Sequence, residues 1–99
     1  MQVGDILYTS WGYEQTNVEF YQVTKMIGKK MVEVREIAKK YVENETMSGT
    51  STPIRDKFIG KPLRRRISVW ESREQINIGE SRGSAWLWDG KPVSESHYA

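Results

Sequence analysis

Val18-Glu19-Phe20-Tyr21-Gln22-Val23-Thr24-Lys25-Met26-Ile27, then Gly28-Lys29-Lys30, then Met31-Val32-Glu33-Val34-Arg35-Glu36-Ile37: the reading of this stretch decides the fold. Both long runs are rich in β-branched and aromatic residues, and in the first Tyr21 and Val23 alternate with Phe20, Gln22 and Thr24. A period of two sends successive side chains to opposite faces of a strand. Three turn residues, one of them glycine, separate the runs, so together they read as a β-hairpin.

Working outward, Gly4-Asp5 leads into a strand near Ile6-Leu7-Tyr8-Thr9. Beyond the hairpin, Ala38 to Glu43 either extends its second strand or curls into a short helical turn. Asn44 to Pro53 is polar throughout and reads as a mobile loop. Leu63-Arg64-Arg65-Arg66-Ile67-Ser68-Val69-Trp70 is a further strand, with Leu63, Arg65, Ile67 and Val69 on one parity and Arg64, Arg66, Ser68 and Trp70 on the other. Gln75 to Ile78 and Ser84 to Trp88 follow as short strands around a turn over 79–83, and a polar tail over 91–99 ends in His97-Tyr98-Ala99. Five or six short antiparallel strands would leave exposed edges in a flat sheet. Curling removes them, so residues 1–99 are expected to form one all-β domain, a small SH3-like or similar, partly open antiparallel barrel.

Ninety-nine residues without cysteine exclude disulfides, thiolate nucleophiles and cysteine-based zinc sites. Met1 to Asp5 lacks the basic and apolar regions of a secretory signal, and no apolar run approaches the roughly 20 residues that span a bilayer. A cytoplasmic protein without a membrane partner is expected. The formal charge of +2 is unevenly spread: from Pro53 to Arg66, six basic residues stand against Asp56 alone, a local +5 that leaves −3 for the rest. A basic segment on a mildly acidic body points to a localised anion-binding face.

Enzyme chemistry finds little support. His97 is the only histidine and sits in the tail, Gly-x-Ser-x-Gly is absent, and a triad would hang on a terminus. Asp5, Glu14 and Glu19 could supply a carboxylate pair only by converging in space. No metal-ligand spacing or phosphate-cradling glycine motif is present, so no metal or cofactor is expected.

Binding chemistry has more. Lys57, Lys61, Arg64, Arg65 and Arg66 are candidate phosphate ligands, because guanidinium forks match phosphate oxygens. Trp70, on the parity of Arg64 and Arg66, is a candidate stacking surface. The alternative for this run is a solvated, edge-protecting strand face with Trp70 partly packed. Ser10-Trp11-Gly12-Tyr13-Glu14-Gln15-Thr16-Asn17 sets two aromatics among amide-bearing residues. There Trp11 and Tyr13 could stack on a ligand while Gln15 and Asn17 read its polar edge; structurally, Trp11 could instead plug the barrel end. Trp86 and Trp88 read as core and rim.

Those strings, with Gly4-Asp5-Ile6, Phe20-Tyr21-Gln22-Val23, Leu87-Trp88-Asp89-Gly90-Lys91-Pro92 and Ser96-His97-Tyr98-Ala99, run through nearly the whole chain. The pattern resembles a group of short uncharacterised proteins carried in bacteriophage and other mobile-element genomes. The resemblance brings no activity and no site residues; it implies a small protein made inside a host cell, of a kind that often binds nucleic acid or blocks host machinery, defence systems included. Taken together, the expectation is a non-enzymatic module for nucleic acid or another phosphate-bearing ligand, as a monomer or an edge-paired homodimer. The alternative is an inhibitor or adaptor whose Trp, Tyr and Arg residues contact a host protein.

Overall fold

The computed structural model describes the chain apart from residues 13–15, 46–47, 80–81 and 97–99. The described residues form eight strands: β1 (Ile6–Trp11), β2 (Asn17–Ile27), β3 (Met31–Glu45), β4 (Ser48–Phe58), β5 (Leu63–Trp70), β6 (Arg73–Asn77), β7 (Ser84–Leu87) and β8 (Val93–Ser96). Every pairing is antiparallel. Six of the strands hydrogen-bond in the order β2-β1-β7-β6-β5-β3, and β3 pairs back to β2, closing a ring. This is the small all-β barrel architecture expected from the edge argument. The β2–β3 hairpin has its expected turn, with Gly28 at φ 64° in the left-handed region that glycine enters without strain.

Both faces of that hairpin are buried. Tyr21 and Val23 of β2 and Val32 and Val34 of β3 point into the ring, where they pack with Leu7, Ile76, Ile78 and Ala85. Val18 and Phe20 of β2 and Ile37 of β3 point out of it, into a second core with Ile6, flanked by Tyr8, Phe58, Trp88 and Val93. The ring of Trp88 meets Phe20 edge-on at 6.1 Å. Burying side chains of this size is worth roughly 1.5–3 kcal/mol each.

The second core exists because β3 outruns the ring. Residues 37–45 pair with β4, β4 pairs with β8, and Ser96 bridges back to Thr16 just before β2, with both N–O distances 3.1 Å. The two lobes along β3 give an elongated body of 45 × 26 × 23 Å.

One open reading is settled and two change here. Of the two alternatives for residues 38–43, the structure shows the continued strand. The stretch read as a mobile loop over 44–53 is largely hairpin: residues 48–53 are strand, held because Ser51 is buried and Gly49 lies directly under β3. A Cβ on Gly49 would collide with the carbonyl oxygen of Val42 and sit 2.9 Å from Tyr41 Cζ. The tail over 91–99 contributes β8, anchored by Glu95. Polar composition misled in both places because these strands bury hydroxyl and carboxylate groups, not apolar ones. The strand count rises to eight accordingly.

Where β3 leaves β2 after Ile37, Val18 keeps Ser10 of β1 opposite it but has no partner on the β3 side. Side chains serve there: Lys39 Nζ donates to Val18 O at 2.7 Å, and Val18 N–H reaches Glu95 Oε1 at 3.3 Å. Lys39 Nζ also lies 2.5 Å from Glu95 Oε1, and Ser51 Oγ donates to Glu95 Oε2. Buried backbone groups without partners are costly, so this ion pair completes the sheet.

The β5–β6 turn holds Glu71 and Ser72 at φ 49° and 65°, the primed geometry that suits glycine and asparagine. Glu71→Asn with Ser72→Gly is expected to stabilise the protein by about 1 kcal/mol, read as a rise in Tm of roughly 4–8 °C; an unchanged or lower Tm would show that the turn carries no strain.

Candidate functional site

Strand β5 sorts its side chains by parity up to Ile67, and beyond it both Val69 and Trp70 are exposed. Arg64, Arg66, Ser68 and Trp70 are exposed, Trp70 at 61%, while Leu63, Arg65 and Ile67 are half-buried toward the ring. Cross-strand pairing extends the exposed row. Ser68 lies opposite Gln75 and Trp70 opposite Arg73 on β6, and Gln75 lies opposite Trp86 on β7. The Arg73 guanidinium sits 4.5 Å from the centre of the Trp86 ring. Three guanidiniums and two indoles thus share one outer face. Alternate residues of β5 stand about 6.6 Å apart, so Arg64, Arg66, Ser68 and Trp70 make an evenly spaced row. The ion pairs among the described residues include Met1–Glu74, Lys39–Glu95 and Arg82–Glu19, and Arg64, Arg66 and Arg73 join none of them; Glu33 lies opposite Arg64 on β3.

Not every expected phosphate ligand joins this face. Lys61 is exposed on the lead-in to β5. Lys57 is exposed too, but on a bulged end of β4, which pairs with β3 and β8 and not with β5. That bulge puts Asp56 at φ 67° and is held by Gln22, whose amide donates to Asp56 Oδ1 and accepts from Asp56 N–H, both at 2.8 Å. Arg65 turns inward and donates to the carbonyls of Arg64 at 2.8 Å and Ile78 at 3.1 Å.

The expected recognition residues split likewise. Trp70 is on the outer face, whereas Trp11 and Asn17, paired across β1 and β2, lie at one end of the ring. Tyr13 and Gln15 fall outside the described residues, as do Glu14 and His97. Trp11 is half-buried with Arg82 5.2 Å from its ring centre, and its Nε1 is buried without a partner among the described residues. This placement suits a plug.

That end of the ring carries charge instead of apolar packing. Glu19 Oε1 accepts from Arg82 Nε at 2.7 Å and from Tyr21 OH at 2.9 Å. Arg82 is fixed in turn by the buried Thr9, whose hydroxyl donates to its carbonyl at 2.7 Å. Glu36, on the inward parity of Val32 and Val34, faces the same space. Burial raises the Glu36 carboxyl above its ordinary value, and the like charge of Glu19 adds to this against the opposing pull of Arg82 and Lys39. Burial and then Glu19 push the Tyr21 phenol upward as well. Two clefts of about 210 Å³ each meet at Glu36, one lined by Trp11 and Asn17, the other by Tyr21 and Arg65. Asp5 does not join Glu19: it accepts from Gln2 N–H at 2.9 Å near the other end of β1.

Residue-level reading passed over Arg73, Glu36 and Arg82. A two-residue turn at Glu71-Ser72 places Arg73 opposite Trp70, a register that these residue types do not signal in the sequence. Glu36 was signalled by its position, a carboxylate on the inward parity of a core strand.

Compared with protein-family models, curated proteins and solved structures, the chain matches none of them.

Two carboxylates give opposite pH signatures. Burial alone would raise Glu95, but hydrogen bonds from Lys39, Ser51 and Val18 outweigh it and hold the carboxyl below its ordinary value. Its stabilisation is therefore present above the ordinary glutamate value and lost as pH falls through the lowered one. Glu95→Gln is expected to cost about 2–3 kcal/mol at pH 7, since Lys39 keeps some solvent, with the deficit shrinking in acid; a pH-independent deficit in urea melts would refute the ionic role. Glu36 behaves inversely, its ionisation costing stability as pH rises from the ordinary to the raised value. Glu36→Gln is expected to raise Tm at pH 7 and to leave it unchanged below the ordinary carboxylate range.

Proposed function

We propose that this chain is a non-enzymatic binding module that holds single-stranded nucleic acid on the outer face of β5, β6 and β7. One observation carries the reading: Arg64, Arg66 and Trp70 are exposed in a single row beside an Arg73–Trp86 stack, and among the described residues none of these guanidiniums forms an ion pair, although Glu33 faces Arg64 across the β3–β5 ladder. Guanidiniums at alternate strand positions take successive phosphates, and indole faces stack on bases irrespective of sequence. A charged row kept only for solubility has no use for a large exposed indole. The resemblance to bacteriophage and mobile-element proteins supplies the setting, a host cytoplasm rich in such ligands. Lys61 extends the phosphate track at the start of β5; Lys57 is left outside it.

A host protein as partner is favoured by a different feature. Val69 and Trp70, 66% and 61% exposed on opposite parities, give the β5–β6 hairpin tip an apolar character. Such a tip suits insertion into a groove, and hot spots are enriched in Trp and Arg.

Tryptophan fluorescence during titration with short single-stranded DNA and RNA separates these readings. Saturable quenching that weakens steeply with salt is expected, because each neutralised phosphate releases counterions. Trp70→Ala should weaken binding roughly tenfold, the scale of one stacked base. Arg64→Glu with Arg66→Glu should abolish binding at moderate salt. Failure to bind at low salt, or affinity indifferent to the double charge reversal, would sink the nucleic-acid reading and turn attention to the hairpin tip.

A further inference from the structure

We infer that the charged mouth of the ring is a base pocket selective for guanine, with the Glu36 carboxylate reading the edge of the base, a refinement that rests on the nucleic-acid reading of the adjacent outer face. The mouth and the face share one segment. The chain between β4 and β5 crosses directly over Glu36, with Ile59 N–H and Gly60 N–H on the Glu36 carbonyl at 2.9 and 3.3 Å. Glycine permits this crossing, because a Cβ on Gly60 would sit 3.0 Å from Glu36 Cβ. Lys61 is thereby set on the rim of the mouth, and Arg64, one residue past Leu63, turns out onto the basic row. A strand whose phosphates follow Lys61, Arg64 and Arg66 passes beside the opening.

The chemistry inside selects the occupant. Glu19 is committed to Arg82 and Tyr21, whereas no hydrogen bond or ion pair from a described residue reaches the Glu36 carboxylate. An ionised carboxylate only accepts hydrogen bonds, so Glu36 offers two acceptor oxygens to a ligand. Among the described residues, the charged groups lining this cleft, Glu36, Lys61, Arg65 and Arg82, together with Glu19 on Arg82, sum to +1, which disfavours an ammonium or guanidinium ligand and favours a group tethered to phosphate. The cleft of about 210 Å³ is smaller than pockets for drug-sized ligands, which begin at roughly 300 Å³, and it suits one planar base. Among the bases, guanine alone sets two adjacent donors, N1–H and the N2 amine, against a carboxylate. Adenine and cytosine oppose it with a ring nitrogen acceptor beside a single donor, and thymine or uracil with carbonyl oxygens. A site built to pair a donor edge rejects ligands that lack it, since its buried acceptor is left unpaired.

The test is fluorescence titration of the whole protein with thymidylate hexamers carrying one central guanine, inosine, adenine or cytosine, alongside the all-thymidylate hexamer. The guanine hexamer is expected to bind at least about fivefold tighter than the all-thymidylate one, the lower end of what a bidentate base contact gives. Inosine, which keeps N1–H and lacks the amine, should fall between them. Glu36→Gln should bring all hexamers to equal affinity without lowering Tm, so misfolding cannot mimic the loss. Equal affinity of every hexamer for the wild type, or a guanine preference surviving in Glu36→Gln, would overturn the pocket while leaving the outer face intact. The converse is distinguishable: a guanine preference that survives Arg64→Glu with Arg66→Glu at undiminished affinity would remove the outer-face reading and keep the pocket. If neither the hexamers nor guanosine monophosphate binds, both fall.

Discussion

The ladder between β2 and β3 is the constraint on which the molecule depends. It is a wall shared by two cores, with Tyr21, Val23, Val32 and Val34 on one side and Val18, Phe20 and Ile37 on the other. A one-residue slip of pairing exchanges the faces of a strand. Here such a slip would spoil both cores at once, so the register is doubly specified. Because the two strands are joined by a three-residue turn, the wall is also a local contact, with little loop-closure entropy opposing it. The ring forms on one side of the wall, and β4 with β8 wraps the other.

The same wall explains where polar chemistry collects. Both cores are apolar in the middle of the β2–β3 hairpin and become ionic at the end where β3 departs from β2. On one side, Lys39 and Glu95 supply the hydrogen bonds that Val18 would have made in a longer ladder. On the other, Glu19, Glu36, Arg65 and Arg82 occupy the ring end. The difference is completeness. Glu95 is met by hydrogen bonds from Lys39, Ser51 and Val18 and lies lowered, whereas Glu36 accepts none from a described side chain, feels Arg82 and Lys39 only through their charge, and lies raised. Bonded charge there completes the sheet.

Much of this was legible in the chain. The hairpin, the parity of β5 and the all-β barrel follow from period-two patterning and from turn residues at Gly28 and beyond. Strand β4 and strand β8 were illegible for a physical reason: Ser51 and Glu95 are buried through hydrogen bonds, and a composition of Ser, Thr, Gly and Glu looks solvated until its partners are known. The basic run was read correctly as alternating in β5, yet its counterpart Arg73 required the turn register. Lys57 is close to Arg64 in sequence, but it stands on β4, which pairs with β3 and β8, while Arg64 stands on β5, so the two do not share a strand or a ladder. Glu36 could have been found by asking why a carboxylate sits in phase with two core valines.

The splice between β1 and β7 is the shortest in the ring, with only Leu7–Leu87 and Tyr8–Trp86 in register and Trp88 N–H on the Ile6 carbonyl beside them. A hoop yields at its shortest splice, so thermal opening is concentrated there and not along the long β2–β3 wall. The basic row and both indoles of the outer face lie on β5, β6 and β7, all to one side of that splice. Those three strands form a continuous panel that does not include the β1–β7 gap, so an opening of the ring there would leave the spacing of the exposed row unchanged.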